Sequence, residues 1–163
     1  MQIARGLAAF CQTERSRLQM LLVSPTGAKV VVMAKVGGGT PSTNLTVTLD
    51  DSSTYALPPL GYSILSGTYR PTDGGHAAFP APAPGETYSN TMAAFDGVSP
   101  NGDWLLYMNT SGAGTGTLAR GWSLAITTDT TNTAPTITAI TDRATLVNTP
   151  TAAIPFTIFD GQT

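Results

Sequence analysis

Hydrophobic and polar residues alternate with a period of two in several short stretches of this sequence. The two clearest stretches are residues 104–109 (WLLYMN) and 122–127 (WSLAIT), each of which begins with a tryptophan. A period of two places every second side chain on the same face of a sheet, so each stretch predicts a strand with one large apolar face. These two faces predict a structural core made of Trp104, Leu106, Trp122, Leu124 and Ile126.

A glycine-rich segment, SGAGTG at residues 111–116, separates these two strands. Glycine enters left-handed turn conformations without a steric cost, so it favours tight connections. We therefore predict that residues 104–109 and 122–127 form a hairpin.

Three more strands are predicted upstream. Residues 18–23 and 29–33 flank the sequence SPTG, which has proline and glycine where a turn favours them, so they predict a second hairpin. Residues 44–49 (NLTVTL) alternate cleanly and end in the turn-forming sequence DDSS. Residues 57–86 are rich in proline and predict a long irregular loop, extended at 79–86, that wraps an edge or shapes a surface.

Composition agrees with many short strands joined by polar turns. Charged residues make up 11% of the chain, against about 25% in an average protein, while 41% of residues are apolar and can build a core. The net charge is −2 and the basic residues are scattered, which argues against nucleic acid as a partner. No run comes near the roughly 20 apolar residues of a membrane-spanning helix, which argues against membrane insertion.

The residues needed for catalysis do not come together in the sequence. His76 is the single histidine and lies in a glycine-rich loop, whereas a serine triad needs a histidine oriented by an acid beside a nucleophile. One histidine and one cysteine also argue against a zinc site. We assign no catalytic residue, predict that the chain is not itself an enzyme, and expect no required cofactor.

Calcium is the one metal for which the sequence offers ligands. Asp50 and Asp51 lie side by side at a strand end, and Asp96 is a further candidate. Calcium takes six to eight oxygen ligands, so these carboxylates would need help from Asp73, Asp103 or loop carbonyls. The alternative is a solvated Asp-Asp-Ser-Ser turn whose side chains cap local backbone groups.

The domain organisation follows from shifts in pattern. Residues 1–17 have no clear period and predict a poorly defined N-terminal segment. Residues 18–128 predict one all-β domain, and residues 129–135, rich in threonine, predict a linker. Residues 136–163 begin two new strands but are too few to bury a core alone, so we expect the truncated start of a second β domain.

The ordered motifs of residues 18–128 resemble one family. They are LVSPTG at 22–27, FDGVSPNGDW at 95–104 and GWSL at 121–124. Together they are similar to the P domain (P/Homo B domain) that follows the catalytic domain of kexin-like and furin-like subtilases. The resemblance implies a jelly-roll β-sandwich of about eight strands, galactose-binding-domain-like, which assists a neighbouring serine protease domain. Arg17 departs from the family, which usually has an acid there.

Residues 132–163 resemble the start of the cadherin-like or immunoglobulin-like repeats that build bacterial extracellular stalks. In that resemblance Asp160 is followed by Gly161 and Gln162, where calcium-binding repeats would place a second acid. We therefore do not expect calcium at this position.

Two functions follow as hypotheses. The first is a non-catalytic accessory or stabilising module of a secreted multidomain bacterial protease or cell-surface protein, with its partner in a neighbouring domain of the same chain. The alternative is an adhesin module that binds carbohydrate or another surface ligand, since jelly rolls also serve as lectins. Its predicted ligand face consists of Tyr55, Tyr62, Tyr69 and Tyr88. Both hypotheses place the protein outside the cell or on its surface.

Overall fold

The structure is a computed structural model, and part of the chain is described by it. The described residues are 2–12, 18–38, 40, 42–85, 87–110, 116–118, 121–128, 136–139, 147–148, 153, 155 and 157–159, with the backbone alone described for 2–12, 42–43 and 116–117. The chain divides into two compact units, Met1–Thr128 and Asp129–Thr163. The predicted linker at 129–135 lies outside the described residues.

Strands are the main regular structure of the described residues, and turns and irregular loops make up most of the remainder. One short 3-10 helix spans Met92–Phe95. The strands are β1 (Gln2–Gln12), β2 (Leu18–Val23), β3 (Lys29–Ala34), β4 (Ser42–Leu49), β5 (Gly67–Tyr69), β6 (Thr72–Asp73), β7 (Leu105–Thr110), β8 (Gly116–Thr117), β9 (Trp122–Thr127), β10 (Thr136–Ile137) and β11 (Ile158–Phe159). The prediction of an all-β fold is confirmed.

The first unit contains two sheets. The larger sheet has the order β5-β4-β1, with both β8 and β9 pairing with the other edge of β1. The smaller sheet has the order β6-β3-β2-β7. The β4–β5 and β3–β6 pairs are parallel, and the other pairs are antiparallel. In the second unit β10 pairs with β11.

Alternate side chains of the two sheets meet in one core, as in a β-sandwich. Phe95, at the end of the 3-10 helix, is fully buried in this core, and alternate residues of β2 and β4 contribute to it. The strand residues that form this core are Leu18, Met20, Leu22, Val30, Val32, Met33, Leu45, Val47 and Leu49, with Leu106, Met108, Leu124 and Ile126 packed against them. The jelly-roll connectivity stays a prediction.

The predicted hairpin at residues 18–33 is confirmed. β2 and β3 pair antiparallel, and Val23 lies opposite Lys29. In the turn between them the Gly27 N–H donates to the Ser24 carbonyl over 3.0 Å, and the Ser24 hydroxyl accepts the Ala28 N–H over 3.0 Å. Gly27 has a φ of +89°, in the left-handed region that favours glycine.

The predicted tryptophan hairpin is wrong. β7 pairs with β2 in the smaller sheet, whereas β9 pairs with β1 in the larger sheet. β8, which lies between β7 and β9 in the sequence, also pairs with β1 in the larger sheet. The error has a physical reason, because alternation shows which face of a strand is apolar but not which strand lies beside it. The glycine-rich residues 111–115 lie outside the described residues.

The prediction of a poorly defined N-terminal segment is wrong for residues 2–12. They form β1, which pairs with β4 along one edge and with β8 and β9 along the other. The register of β1 shifts between Ile3 and Arg5 and again between Phe10 and Gln12. Each shift breaks the alternation of faces, which explains why the sequence shows no period of two.

A proline-rich loop covers the outer face of the smaller sheet. Phe79 is buried there against residues of β2 and β3, with Tyr88 and Tyr107 packed beside it. The strand residues under the loop are Leu21, Val23, Val31 and Ala34. All six residues of β2 are therefore buried. We call residues 76–85 and 87–88 the covering loop.

The buried side chain of Gln19 fixes one end of the covering loop. Its Nε2 donates to the Ala77 carbonyl over 3.1 Å, and its Oε1 accepts the Ala77 N–H over 2.9 Å. At the other end, Lys29 Nζ donates to the Gly85 carbonyl over 2.8 Å. A buried amide is tolerated when both its donor and its acceptor are paired, as they are here.

The two tryptophans have different environments. Trp104 is half-buried, packs edge to face on Phe95 with ring centroids 5.0 Å apart, and donates from Nε1 to the Pro100 carbonyl over 3.1 Å. Trp122 is the first residue of β9 and is 38% exposed, so its predicted place in the core is wrong.

This difference predicts unequal costs of truncation. Trp104→Ala removes a ring packed on the core and is expected to lower the free energy of unfolding by about 3 kcal/mol. Trp122→Ala removes a ring at the end of a strand and is expected to cost about 1 kcal/mol or less. Urea denaturation followed by circular dichroism measures both, and equal losses would contradict the assignment.

Candidate functional site

Two of the four predicted ligand-face tyrosines lie at one groove. Tyr55 and Tyr69 both line it, whereas Tyr62 and Tyr88 do not. Tyr88 belongs to the covering loop, where it packs on Phe79 with ring centroids 5.5 Å apart. The prediction of a single face holding all four tyrosines is therefore wrong.

The groove lies between the turn at residues 52–55 and β5, and it has a volume of about 670 Å³. Its lining consists of Ser52, Ser53, Thr54, Tyr55, Gly67, Thr68 and Tyr69. None of these residues carries a charged side chain at neutral pH. The groove therefore offers aromatic and hydroxyl groups only.

Hydrogen bonds hold the two walls of the groove together. The Ser53 hydroxyl donates to the Thr68 carbonyl over 3.0 Å and accepts the Tyr55 N–H over 3.2 Å. The Arg70 N–H donates to the Tyr55 carbonyl over 2.7 Å. These contacts bind the turn to the outer side of β5, so the groove is formed before any ligand arrives.

The ring of Tyr69 is fixed in the wall of the groove. Its hydroxyl donates to the Leu65 carbonyl over 3.1 Å, and the residue packs against the core. The ring lies beside Gly67, where an added Cβ would stand 3.5 Å from the nearest ring carbon. Tyr55, in contrast, is 71% exposed and stands at the rim.

The predicted calcium ligands accept local hydrogen bonds. Asp50 Oδ1 accepts the N–H of Ser52 over 2.9 Å and its hydroxyl over 2.7 Å. Asp51 Oδ2 accepts the Ala93 N–H over 3.0 Å, at the start of the 3-10 helix. Asp96 follows the end of that helix and is exposed. Across the described ranges, no three His, Cys, Asp or Glu side chains converge, and calcium binding stays a prediction.

The sequence analysis named Asp73 and His76 separately but did not predict that their side chains form a pair. Asp73 Oδ2 lies 2.6 Å from His76 Nδ1, and Asp73 Oδ1 accepts the N–H groups of Gly75 and His76, each over 2.8 Å. The His76 ring meets Tyr88 edge to face, with centroids 5.2 Å apart. A local sequence signal for this pair exists. Asp73 lies two residues before Gly75 and three before His76, which is the spacing of a turn capped by an aspartate side chain.

The Asp73 carboxyl has a pKa below its usual value of 3.8. Burial acts in the opposite direction, since it disfavours the charged form and raises the pKa. The hydrogen bond from the His76 side chain and those from the two backbone N–H groups favour the carboxylate, and together they outweigh burial. The Asp73 carboxylate thus stabilises the conformation at the start of the covering loop.

The chain matches no protein-family model, no curated protein and no solved structure. No helix among the described residues is long and apolar enough to cross a membrane. The resemblance to the P domain accordingly depends on the sequence motifs alone.

The Asp73 carboxylate predicts a specific acid sensitivity. A group whose pKa is lower in the folded state stabilises the fold above its unfolded value, here 3.8, and this contribution is lost as the pH falls through the folded value. Asp73→Asn should therefore lower the free energy of unfolding at pH 6, and the difference in this free energy between the variant and wild type should shrink below about pH 4.

Urea denaturation at a series of pH values measures this difference. Asp103→Asn, which alters an exposed aspartate, is the control, and its free energy of unfolding should stay close to that of wild type at each pH. A difference between Asp73→Asn and wild type that stays constant from pH 6 to the acid limit would contradict the assignment.

Proposed function

We propose that residues 18–128, together with β1, form a P domain-like accessory module of a secreted multidomain bacterial protease or cell-surface protein. The module is non-catalytic and acts by contact with a neighbouring folded domain of the same parent chain. The observation that carries this proposal is an apolar loop held rigidly at the surface.

The apolar loop consists of residues 57–66. Leu57 and Ile64 are buried in the core and anchor the loop to the sandwich. Between and beside these anchors, Leu60, Tyr62 and Leu65 are 58%, 66% and 68% exposed. Large apolar side chains grouped at the surface mark sites of interaction with another protein.

Contacts with Gly37 and Thr40 fix the conformation of the apolar loop. The Gly37 N–H donates to the Pro58 carbonyl over 2.7 Å, and the Gly61 N–H donates to the Gly37 carbonyl over 2.9 Å. The hydroxyls of Thr40 and Ser63 lie 2.8 Å apart. A loop ordered in advance loses little conformational entropy when a partner covers it, which favours binding.

The positions of the family motifs also support the proposal. The turn at 24–27 closes the β2–β3 hairpin, and the segment 95–104 brings Phe95 under Trp104. The GWSL motif opens β9, which pairs with β1. These residues build the scaffold rather than a reaction centre, as a structural module requires.

The test uses the parent protein that carries this module. Leu60, Tyr62 and Leu65 are replaced together by serine, and Leu105→Ser is the control because Leu105 is also exposed but lies at the start of β7. We expect the triple variant to lower the unfolding temperature of the parent's neighbouring domain by at least about 3 °C, with no change for the control.

A second measurement separates docking from folding. The chain of 163 residues, produced alone, should unfold at the same temperature with and without the three serines, because these side chains are exposed in it. Equal behaviour of the triple variant and the control in the parent protein would overturn the proposal.

A further inference from the structure

We infer that the groove between the turn at residues 52–55 and β5 is a binding site for a neutral carbohydrate. This site is separate from the apolar loop, and the inference does not depend on the accessory role. Of the four tyrosines predicted as a ligand face, Tyr55 and Tyr69 line this groove.

The size and preorganisation of the groove suit a small ligand. Its volume of about 670 Å³ falls within the range of about 300–1,000 Å³ that is typical of ligand sites. The hydrogen bonds from Ser53 to Thr68 and from Arg70 to Tyr55 hold both walls in place. A ligand would therefore find the site already formed.

The two tyrosines supply the surfaces on which a sugar ring can stack. A sugar ring has an apolar face of C–H groups and a polar edge of hydroxyls, and tyrosine combines an aromatic face with a polar tip. Tyr69 is fixed by its bond to the Leu65 carbonyl, and the exposed Tyr55 stands at the rim. One rigid ring and one accessible ring can hold a sugar between them.

The polar lining determines the charge of the ligand. Thr54 and Thr68 contribute hydroxyl groups that can donate and accept hydrogen bonds, and the Ser52 hydroxyl, which donates to Asp50 Oδ1, can accept one. No charged side chain lines the groove, so an ionic ligand would lose hydration without gaining an opposite charge. These properties favour a neutral polyhydroxylated ligand over an acidic glycan.

An extended peptide is a poorer fit for the same groove. Peptides commonly bind a sheet edge by adding a strand to unpaired backbone groups. The outer side of β5 is already engaged, because the Thr68 carbonyl accepts the Ser53 hydroxyl and Arg70 forms a bridge with Ala56. The backbone edge that a peptide needs is therefore occupied by the protein's own turn.

The test begins with the full chain on an array of neutral and acidic oligosaccharides, followed by calorimetric titration with the neutral oligosaccharide that binds best. We expect Tyr55→Ala to weaken binding about tenfold or more, as loss of an aromatic anchor does. Gly67→Ala should weaken it similarly, since the new methyl group would stand against the Tyr69 ring in the groove.

The variants are chosen so that loss of folding is not mistaken for loss of binding. The methyl group of Gly67→Ala meets Tyr69 at an ordinary contact distance of 3.5 Å, so its unfolding temperature should match that of wild type. Tyr62→Ala is the matched control, because Tyr62 is equally exposed but does not line the groove.

The outcomes separate the alternatives. Binding of a neutral oligosaccharide that is weakened by Tyr55→Ala and Gly67→Ala but not by Tyr62→Ala supports the site. A flat array, binding of acidic oligosaccharides only, or equal losses for Tyr55→Ala and Tyr62→Ala would each overturn it. The triple serine variant of the apolar loop should keep its affinity for the oligosaccharide, which distinguishes this site from the accessory role.

Discussion

The fold depends on burying β2 on both of its faces. One face contributes Leu18, Met20 and Leu22 to the core between the sheets. The other face presents Leu21 and Val23, which a two-layer sandwich alone would leave in water. At about 25 cal/mol for each Å² of apolar surface, leaving this face open would be costly. The covering loop removes the cost, and so the four-stranded sheet needs its proline-rich segment as a third layer.

The two long loops of the module differ in the direction of their apolar residues. The covering loop turns Phe79 inward, and paired polar groups such as Gln19 with Ala77 and Asp73 with His76 fasten it. The apolar loop buries only its anchors and presents its other large side chains to solvent. One loop therefore completes the fold, while the other is available to a partner.

Sequence reasoning succeeded where the signal was local. β2, β3 and β4 were predicted because alternation, a turn sequence and strand length all lie within a few residues of one another. It failed where the answer depended on distant residues: β7 and β9 look like a hairpin, yet each finds its neighbour in a different sheet. In β1 the two register shifts removed the alternation by which a strand is recognised.

The candidate groove likewise depends on contacts between residues that are distant in the sequence. Tyrosine is a good candidate for ligand binding wherever it occurs, and the sequence offered four of the five tyrosines as candidates. Only the parallel pairing of β5 with β4 brings Tyr69 beside the turn that carries Tyr55, and that pairing has no local signal. The Asp73–His76 pair, by contrast, joins residues three positions apart, so the turn sequence contains the signal that predicts it.

The pairing of β1 with β9 has a consequence for the order of events during synthesis. Gln2 lies opposite Thr127, so within the unit Met1–Thr128 the strand that is synthesised first, β1, pairs with the strand that is synthesised last, β9. Until then one edge of β1 is open to other chains. Long-range pairing of this kind folds slowly and exposes strand edges to association. A nascent chain with this strand pairing is expected to benefit from a chaperone until β9 has paired with β1.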